Sequence, residues 1–511
     1  MSIFDIPASR PITPTPQAPQ RPKLDLSEYS FVCTPFQHQI TALERSQGFK
    51  EYAYLMEMGT GKSKVIIDDF SWWYSKGKID AIIIWANKGC YKNWVNAEIP
   101  IHLPKHIPYQ MTYWDSAAST TLQQSYVKLM QPFNGLKILV MNVEALAYEK
   151  ATKFAKLFCK AHRVYAVVDE STSIKNWKAK RTVSAIEVGQ LCLYRRIATG
   201  SPVTNNPLDL FSQAAFLGYH LLGFSSFYAF RARYAEMVQI TIDARASSTG
   251  KEKKFKKVKC FQHLDELTRK LQSWSYRCLK KDCLDLPEKI YEYREVELTP
   301  EQKRAYLTMR TAAFAELDGS IATVMLALTK ILRLHQIVCG NLKDDDGVNH
   351  ALPNNRIPVL LDTIDEGSGK FIIYATYIED IQAIQKALAE EYDPRNVVTY
   401  YGATSKDDRD LAVKRFQEDP ECRFFVANRT GAYGLTLTTA ETVIYYSNDY
   451  NLEVRLQSED RAHRIGQKNN VTYIDLICRG TVDEKIIKAL RDKKTIADLV
   501  TGDGWKEWIA G

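Results

Sequence analysis

No Cys-x-x-Cys pair occurs anywhere in this 511-residue chain. Its ten cysteines are scattered, and the closest two, Cys278 and Cys283, have neither a matching second pair nor a histidine cluster nearby in the sequence. That argues against a zinc site and for isolated thiols in a reducing compartment. No apolar run approaches the ~20 residues needed to span a bilayer, and the N-terminus lacks a basic-then-apolar leader. Together these absences exclude a disulfide scaffold and a membrane-spanning helix. They predict a soluble intracellular protein. Net charge is not extreme either: the formal value is +8, which suits a polyanionic partner without requiring one.

Apolar content of 45% and charged content of 25% are those of an ordinary globular protein, and the length predicts two to four domains. Residues 1–26 form a proline-rich flexible tail, in which Pro7, Pro11, Pro14, Pro16, Pro19 and Pro22 interrupt any helix or central strand.

The most informative stretch is Met56-Glu57-Met58-Gly59-Thr60-Gly61-Lys62-Ser63. Its glycines allow a turn tight enough for consecutive N–H groups to face one anion. Lys62 then meets the β/γ-phosphates, and the Ser63 hydroxyl suits Mg²⁺. A glycine is missing at Met56, where the fullest form of such a loop has one. Upstream, Gln37 near a helix start is placed to read adenine, because an amide both donates and accepts.

Further along, Ala81–Trp85, Leu136–Val143, Ala166–Val168 and Arg196–Ala198 are apolar runs alternating with helical stretches. Polar motifs stand at their C-terminal ends. This is the pattern of a doubly wound α/β domain, whose ligands bind at that edge. One run ends in Asp169-Glu170, suited to Asp169 holding Mg²⁺ and Glu170 polarising a water. Residues 217–286 read as helical and irregular. Within them, the basic run Lys251–Lys259 leaves two readings open, a phosphate contact or a solvated loop. Thr299-Pro300-Glu301-Gln302 is a helix start with a capping box. A second α/β pattern follows, with strands at Phe371–Tyr374, Val397–Tyr401, Arg423–Val426, Thr442–Tyr446 and Val471–Ile474. It has no phosphate loop of its own, but Arg461 and Arg464 share one helical face and suit a γ-phosphate.

In order and spacing these motifs resemble superfamily-two helicase-like motors, most closely the Swi/Snf branch of DNA translocases, over about Thr34 to Ile487. Phe36-Gln37, the loop from Glu57 to Ser63, Asn93-Trp94 with Glu98, Asp169-Glu170, Ile174-Lys175-Asn176 and Thr199-Gly200-Ser201-Pro202 carry the likeness in the first half. Gly402–Thr404, Arg429 to Leu437, and Gln457 through Gln467 carry it in the second. The family's loop does not require glycine at Met56. Three departures stand out: Asp-Glu-Ser-Thr replaces the usual Asp-Glu-Ala-His, and Ala432 and Thr436 replace a glycine and an asparagine.

The resemblance implies two RecA-like doubly wound α/β lobes with a helical insertion. The expected bounds are 27–216 for the ATP-binding lobe, 217–345 for helical insertions, 346–480 for the second lobe and 481–511 for a C-terminal helical extension. It implies ATP and Mg²⁺ as cofactors. Lys62, Asp169, Glu170, Arg461 and Arg464 are the expected catalytic set. Gln37, Gly59, Thr60, Gly61, Lys62, Ser63, Gly434 and Gln457 would contact nucleotide, with Ser63 and Asp169 on the metal. Asn93, Trp94, Asn142, Lys175, Asn176, Thr404 and Asn428 would contact DNA. The expected function is a DNA-stimulated ATPase and helicase-like translocase on branched DNA in replication, recombination or repair. The alternatives are a remodeller that displaces proteins from DNA and a nucleotide-gated scaffold with little turnover.

Overall fold

The computed structural model describes residues 29–88, 90–200, 202, 206–242, 253–319, 324–343, 348–432 and 435–491. The proline-rich tail, Ser201, Lys251 and Gly434 lie outside them. The chain divides into two compact units, the first up to Gln239 plus Lys256–Leu284, the second Ile240–Phe255 plus everything from Asp285.

In chain order the strands are β1 (Glu51–Met56), β2 (Ala81–Ala86), β3 (Tyr109–Tyr113), β4 (Leu136–Asn142), β5 (Val164–Asp169), β6 (Tyr194–Ala198), β7 (Ala235–Ile242), β8 (Lys253–Phe261) and β9 (Ser275–Cys278). They continue with β10 (Lys289–Glu295), β11 (Asn341–Lys343), β12 (Asn349–Ala351), β13 (Lys370–Tyr374), β14 (Val397–Tyr400), β15 (Phe424–Ala427), β16 (Ala440–Tyr445) and β17 (Val471–Ile477).

The first unit is built on a seven-stranded sheet in the order β3-β4-β2-β5-β6-β1-β9. Every pairing in it is parallel. Strands such as β2 (AIIIWA) are buried along their whole length, because helices cover both faces of a parallel sheet. The parallel arrangement also brings Met56, Ala86, Asn142, Asp169 and Ala198 to one edge. Helix α1 (Gln37–Ser46) precedes β1, and α2 (Lys62–Ser75) follows it.

Helix α2 is fastened to the sheet by a buried polar knot. Asp69 accepts from Tyr54 Oη at 2.8 Å, Tyr165 Oη at 2.5 Å and Arg196 Nε at 2.8 Å. Arg196 and Asp69 are 0% and 1% exposed. Desolvating either charge alone is costly, so the tyrosine and guanidinium donors are what make Asp69 tolerable there.

The second unit has a six-stranded sheet, β10-β17-β16-β13-β15-β14, again all parallel. Its analogous buried centre is Arg356 against Asp483, both 0% exposed, with His335 Nε2 3.6 Å from the same carboxylate. The capping box before helix Pro300–Gly319 is present in both directions. Gln302 N donates to Thr299 Oγ1 at 3.2 Å, and Thr299 N donates to Gln302 Oε1 at 3.1 Å.

The stretch expected to be helical, 217–345, supplies strands to both sheets. β9 pairs with β1, and β10 pairs with β17. Both are edge strands, and neither carries the continuous apolar run by which the inner strands are recognised: β9 reads SYRC and β10 reads KIYEYRE. Lys253–Lys259 of the basic run stands on β8 rather than in a loop, and Lys259 Nζ pairs with Glu236 at 2.7 Å.

Candidate nucleotide site

Between β1 and α2 the chain turns through Gly59 (φ 77°) and Gly61 (φ 81°), both in the left-handed region. Gly61 has a second constraint: a Cβ there would lie 2.1 Å from Gln39 Nε2. Gln39 is one of two α1 side chains gripping the loop. Its Nε2 donates to the Thr60 carbonyl at 3.2 Å, and His38 Nε2 donates to the same carbonyl at 2.8 Å. Thr60 Oγ1 donates to the Glu57 carbonyl at 2.7 Å. Across the sheet edge, Glu57 N donates to the Cys278 carbonyl at 2.9 Å, and Glu57 Oε2 accepts from Lys280 N at 2.8 Å. The loop is thus held from both sides, with α2 starting at Lys62 and Ser63 as its second residue. An N-terminal helix turn preceded by such a loop favours an anion.

The acidic pair stands at the end of β5. Lys62 Nζ lies 3.8 Å from Glu170 Oε1, and Thr199 Oγ1 donates to Glu170 Oε2 at 3.4 Å. Glu170 adopts φ 51°, a strained conformation for a residue with a Cβ. Asp169 Oδ2 accepts from the Trp94 indole N–H at 2.9 Å, and Oδ1 accepts from Glu170 N at 3.1 Å. Burial raises the Asp169 pKa above the ordinary carboxylate value, while the Lys62 charge and the Trp94 donor oppose that rise. Gly200 packs against the loop, since a Cβ there would come 3.2 Å from Met58 N. Lys62, Thr60, Asp169, Glu170 and Thr199 therefore converge on one sheet edge.

The donor set fits a nucleotide and its metal. The glycine turn leaves the loop backbone open to an anion, and the Ser63 hydroxyl and Asp169 carboxylate are hard oxygen ligands of the kind Mg²⁺ takes.

In the second unit, Arg461 and Gln457 lie on the helix Leu452–Ala462, and Arg464 lies just past its end. Arg461 Nη1 and Arg464 Nη1 both donate to the Leu435 carbonyl, at 3.0 and 3.1 Å. Arg464 Nη1 also donates to Thr436 Oγ1 at 2.8 Å, so the threonine that replaces the family's asparagine has a partner. Gln457 is buried, its Nε2 donating to Glu453 Oε1 at 3.2 Å. Gln467 ties the segment down through donations to the Thr438, Ala440 and Ala462 carbonyls.

Several expected contacts have other surroundings. Gln37 is exposed, and it is the neighbouring His38 and Gln39 that reach the loop. Trp94 is 2% exposed with its N–H on Asp169. Asn93 Nδ2 donates to Glu98 Oε1 at 3.0 Å. Asn142 caps the following turn by accepting from Ala145 N at 2.9 Å. Asn176 and Asn428 each accept from a backbone N–H two residues on, Lys178 at 3.1 Å and Thr430 at 3.0 Å. Lys175 Nζ is 3.9 Å from Asp209, and Thr404 Oγ1 accepts from Tyr401 N at 3.4 Å. His38, Gln39 and the β9 backbone were not foreseen. For Gln39 a signal existed: it stands three residues after Phe36, where a helix-start glutamine folds back, and its Oε1 accepts from Phe36 N at 3.0 Å.

The profile of the SNF2-related domain matches residues 42–342, and that of the helicase conserved C-terminal domain matches 355–466. The chain belongs to the SNF2-related family. An uncharacterized ATP-dependent helicase of Mycoplasma genitalium, MG018, is 26% identical over 338 residues, covering 65% of this SNF2-related chain and 30% of that protein. The TATA-binding protein-associated factor MOT1 of Saccharomyces cerevisiae is 27% identical over 412 residues, covering 69% of this chain and 21% of that one. The chain thus spans a third or less of the length of these relatives. The Sulfolobus solfataricus SWI2/SNF2 ATPase core in complex with dsDNA is 25% identical, covers 93% of this chain and 95% of that one, and superposes loosely, with a TM-score of 0.41.

Proposed function

We propose that this SNF2-related chain hydrolyses ATP and uses the cycle to move along DNA. The observation that carries the reading is the convergence of Lys62, Glu170 and Thr199, with Asp169 held by Trp94, beside a glycine turn at the C-terminal edge of a parallel sheet. Lys62 binds the β/γ-phosphates, Glu170 orients the attacking water, and Arg461 and Arg464 supply charge to the transferring phosphoryl group. Ser63 and Asp169 would hold Mg²⁺, which neutralises phosphate charge when bound. Before phosphate enters, Glu170 is the Lys62 counter-charge, so nucleotide binding itself releases Glu170 for its role.

The substrate track is DNA, read mainly through phosphates and therefore with little sequence preference and a steep salt dependence. Branched intermediates of replication, recombination or repair are the favoured substrate. A second reading, displacement of DNA-bound protein, draws support from the likeness to a factor named for its association with a TATA-binding protein.

An ATPase assay across fork, Holliday-junction, duplex and single-stranded DNA at two salt concentrations tests the proposal. Stimulation greatest on the branched forms, and weakened by salt, is the expected result. Turnover indifferent to every DNA would sink it. Branch-migration gels set against protein-displacement assays separate the two outputs.

A further inference from the structure

The sequence argues against zinc because no histidine stands near Cys278 and Cys283. Folding supplies one. Among the described residues, His38, Cys278 and Cys283 form a group in which one ligand atom from each lies within 4.8 Å of the others. His38 and Cys278 are buried and Cys283 is half-buried. We infer that this cluster is a binding site for a thiophilic divalent cation of the zinc class, built against the back of the phosphate loop.

Three features of the site support this. The first is the histidine tautomer. The Thr60 carbonyl only accepts, so the 2.8 Å contact with His38 Nε2 requires the proton on Nε2 and leaves the lone pair on Nδ1. A ligating histidine characteristically donates its other N–H to a carbonyl in this way, and Phe36 stacks on the ring at 5.7 Å to fix its plane. The second is donor chemistry. Two sulfurs and one imidazole nitrogen are the soft set that selects zinc over magnesium. Tetrahedral bonds of about 2.3 Å to sulfur and 2.0 Å to nitrogen need the cluster to tighten by about 1 Å, with water in the fourth position. The third is charge. The carboxylates of Asp282 and Glu57 act on both thiols and favour a cation there, and Glu57 is tied to the same segment through Lys280 N at 2.8 Å.

A metal-free cysteine thiol is largely protonated at neutral pH. Binding is then an exchange: one Zn²⁺ enters, each thiol loses its proton to solvent, and two sulfur–zinc bonds and one nitrogen–zinc bond form without any change of oxidation state. An occupied site joins α1 and β9 through the metal, and through His38 it holds the Thr60 carbonyl. The inference does not depend on ATP hydrolysis.

The test uses the full chain, reduced and stripped of metal, titrated with Zn²⁺ against a chromophoric zinc indicator and separately with Co²⁺. The expected result is one equivalent bound per chain, one proton released per thiol, and thiolate-to-cobalt charge-transfer absorption. The double variant Cys278→Ser/Cys283→Ser loses that equivalent. His38→Gln, which keeps an N–H for Thr60 but offers no imidazole, weakens binding at least about tenfold. Zinc binding no tighter than in the double variant overturns the inference. So does cobalt bound without the thiolate band, or a Cys278–Cys283 disulfide that forms in place of the metal site. Should a variant fail to fold, the wild-type proton count and cobalt spectrum decide the matter alone.

Discussion

The Trp94 indole N–H donates to Asp169 Oδ2 at 2.9 Å, and so a side chain seventy-five positions earlier orients the carboxylate expected on the metal. Trp94→Phe keeps the aromatic packing and removes only the donor. Burial already raises the Asp169 pKa, and losing a hydrogen bond to the charged form raises it further. The acid limb of the ATPase pH profile therefore moves to higher pH, and turnover at neutral pH falls about tenfold. A limb that stays in place refutes the positioning role.

Lys62→Ala removes the charge facing Glu170 and the β/γ-phosphates. Hydrolysis should disappear, and equilibrium binding of a fluorescent ATP analogue should weaken. Arg464→Ala should spare that binding yet lower turnover by about 10³-fold, as loss of an arginine finger does. Equal effects of the two variants on binding would show that the assignment of roles is wrong.

Asp380 lies buried in the second unit, accepting from Asn341 Nδ2 at 2.7 Å and Ser447 Oγ at 3.3 Å, and burial pushes its pKa up to about 7 from 3.8. The folded chain therefore keeps a proton that the unfolded chain releases. The stability this confers is complete below the unfolded value and is lost as pH rises through about 7. Urea midpoints of wild type should fall between about pH 5 and about pH 8 relative to Asp380→Asn, which does not titrate and keeps one acceptor oxygen for Asn341 Nδ2. Parallel curves for the two proteins would contradict this.

Arg356 and Asp483 form an ion pair with no solvent exposure on either side. Arg356→Met leaves the Asp483 carboxylate buried without its guanidinium partner, at an expected cost of roughly 3–5 kcal/mol in denaturant unfolding. Adding Asp483→Leu should recover most of that loss. A double variant no more stable than the single one would assign the loss to packing instead.

The inner strands and the polar groups at their ends were legible because their signals are local. Ala81–Ala86 is apolar throughout since both faces are covered, and Gly59 and Gly61 announce a turn that few other residues make. What could not be read was set by partners distant in the chain. Ser275–Cys278 is a strand only because β1 offers it an edge, and Trp94 points inward only because Asp169 waits there. Gln37 and Gln39 are equivalent as letters. Helical rotation decides which faces the loop, and that depends on where α1 docks.

The docking of β9 against β1 also bears on how the protein is made. β1 is the last strand but one in the finished sheet, and its outer neighbour is encoded some two hundred residues later, at Ser275–Cys278. Until that segment leaves the ribosome, a nascent first unit carries a bare, apolar strand edge beside its phosphate loop. Such an edge invites pairing with other chains. A fragment ending near Leu217 should therefore be prone to aggregate, whereas one carried to Leu284 has the means to close its own sheet.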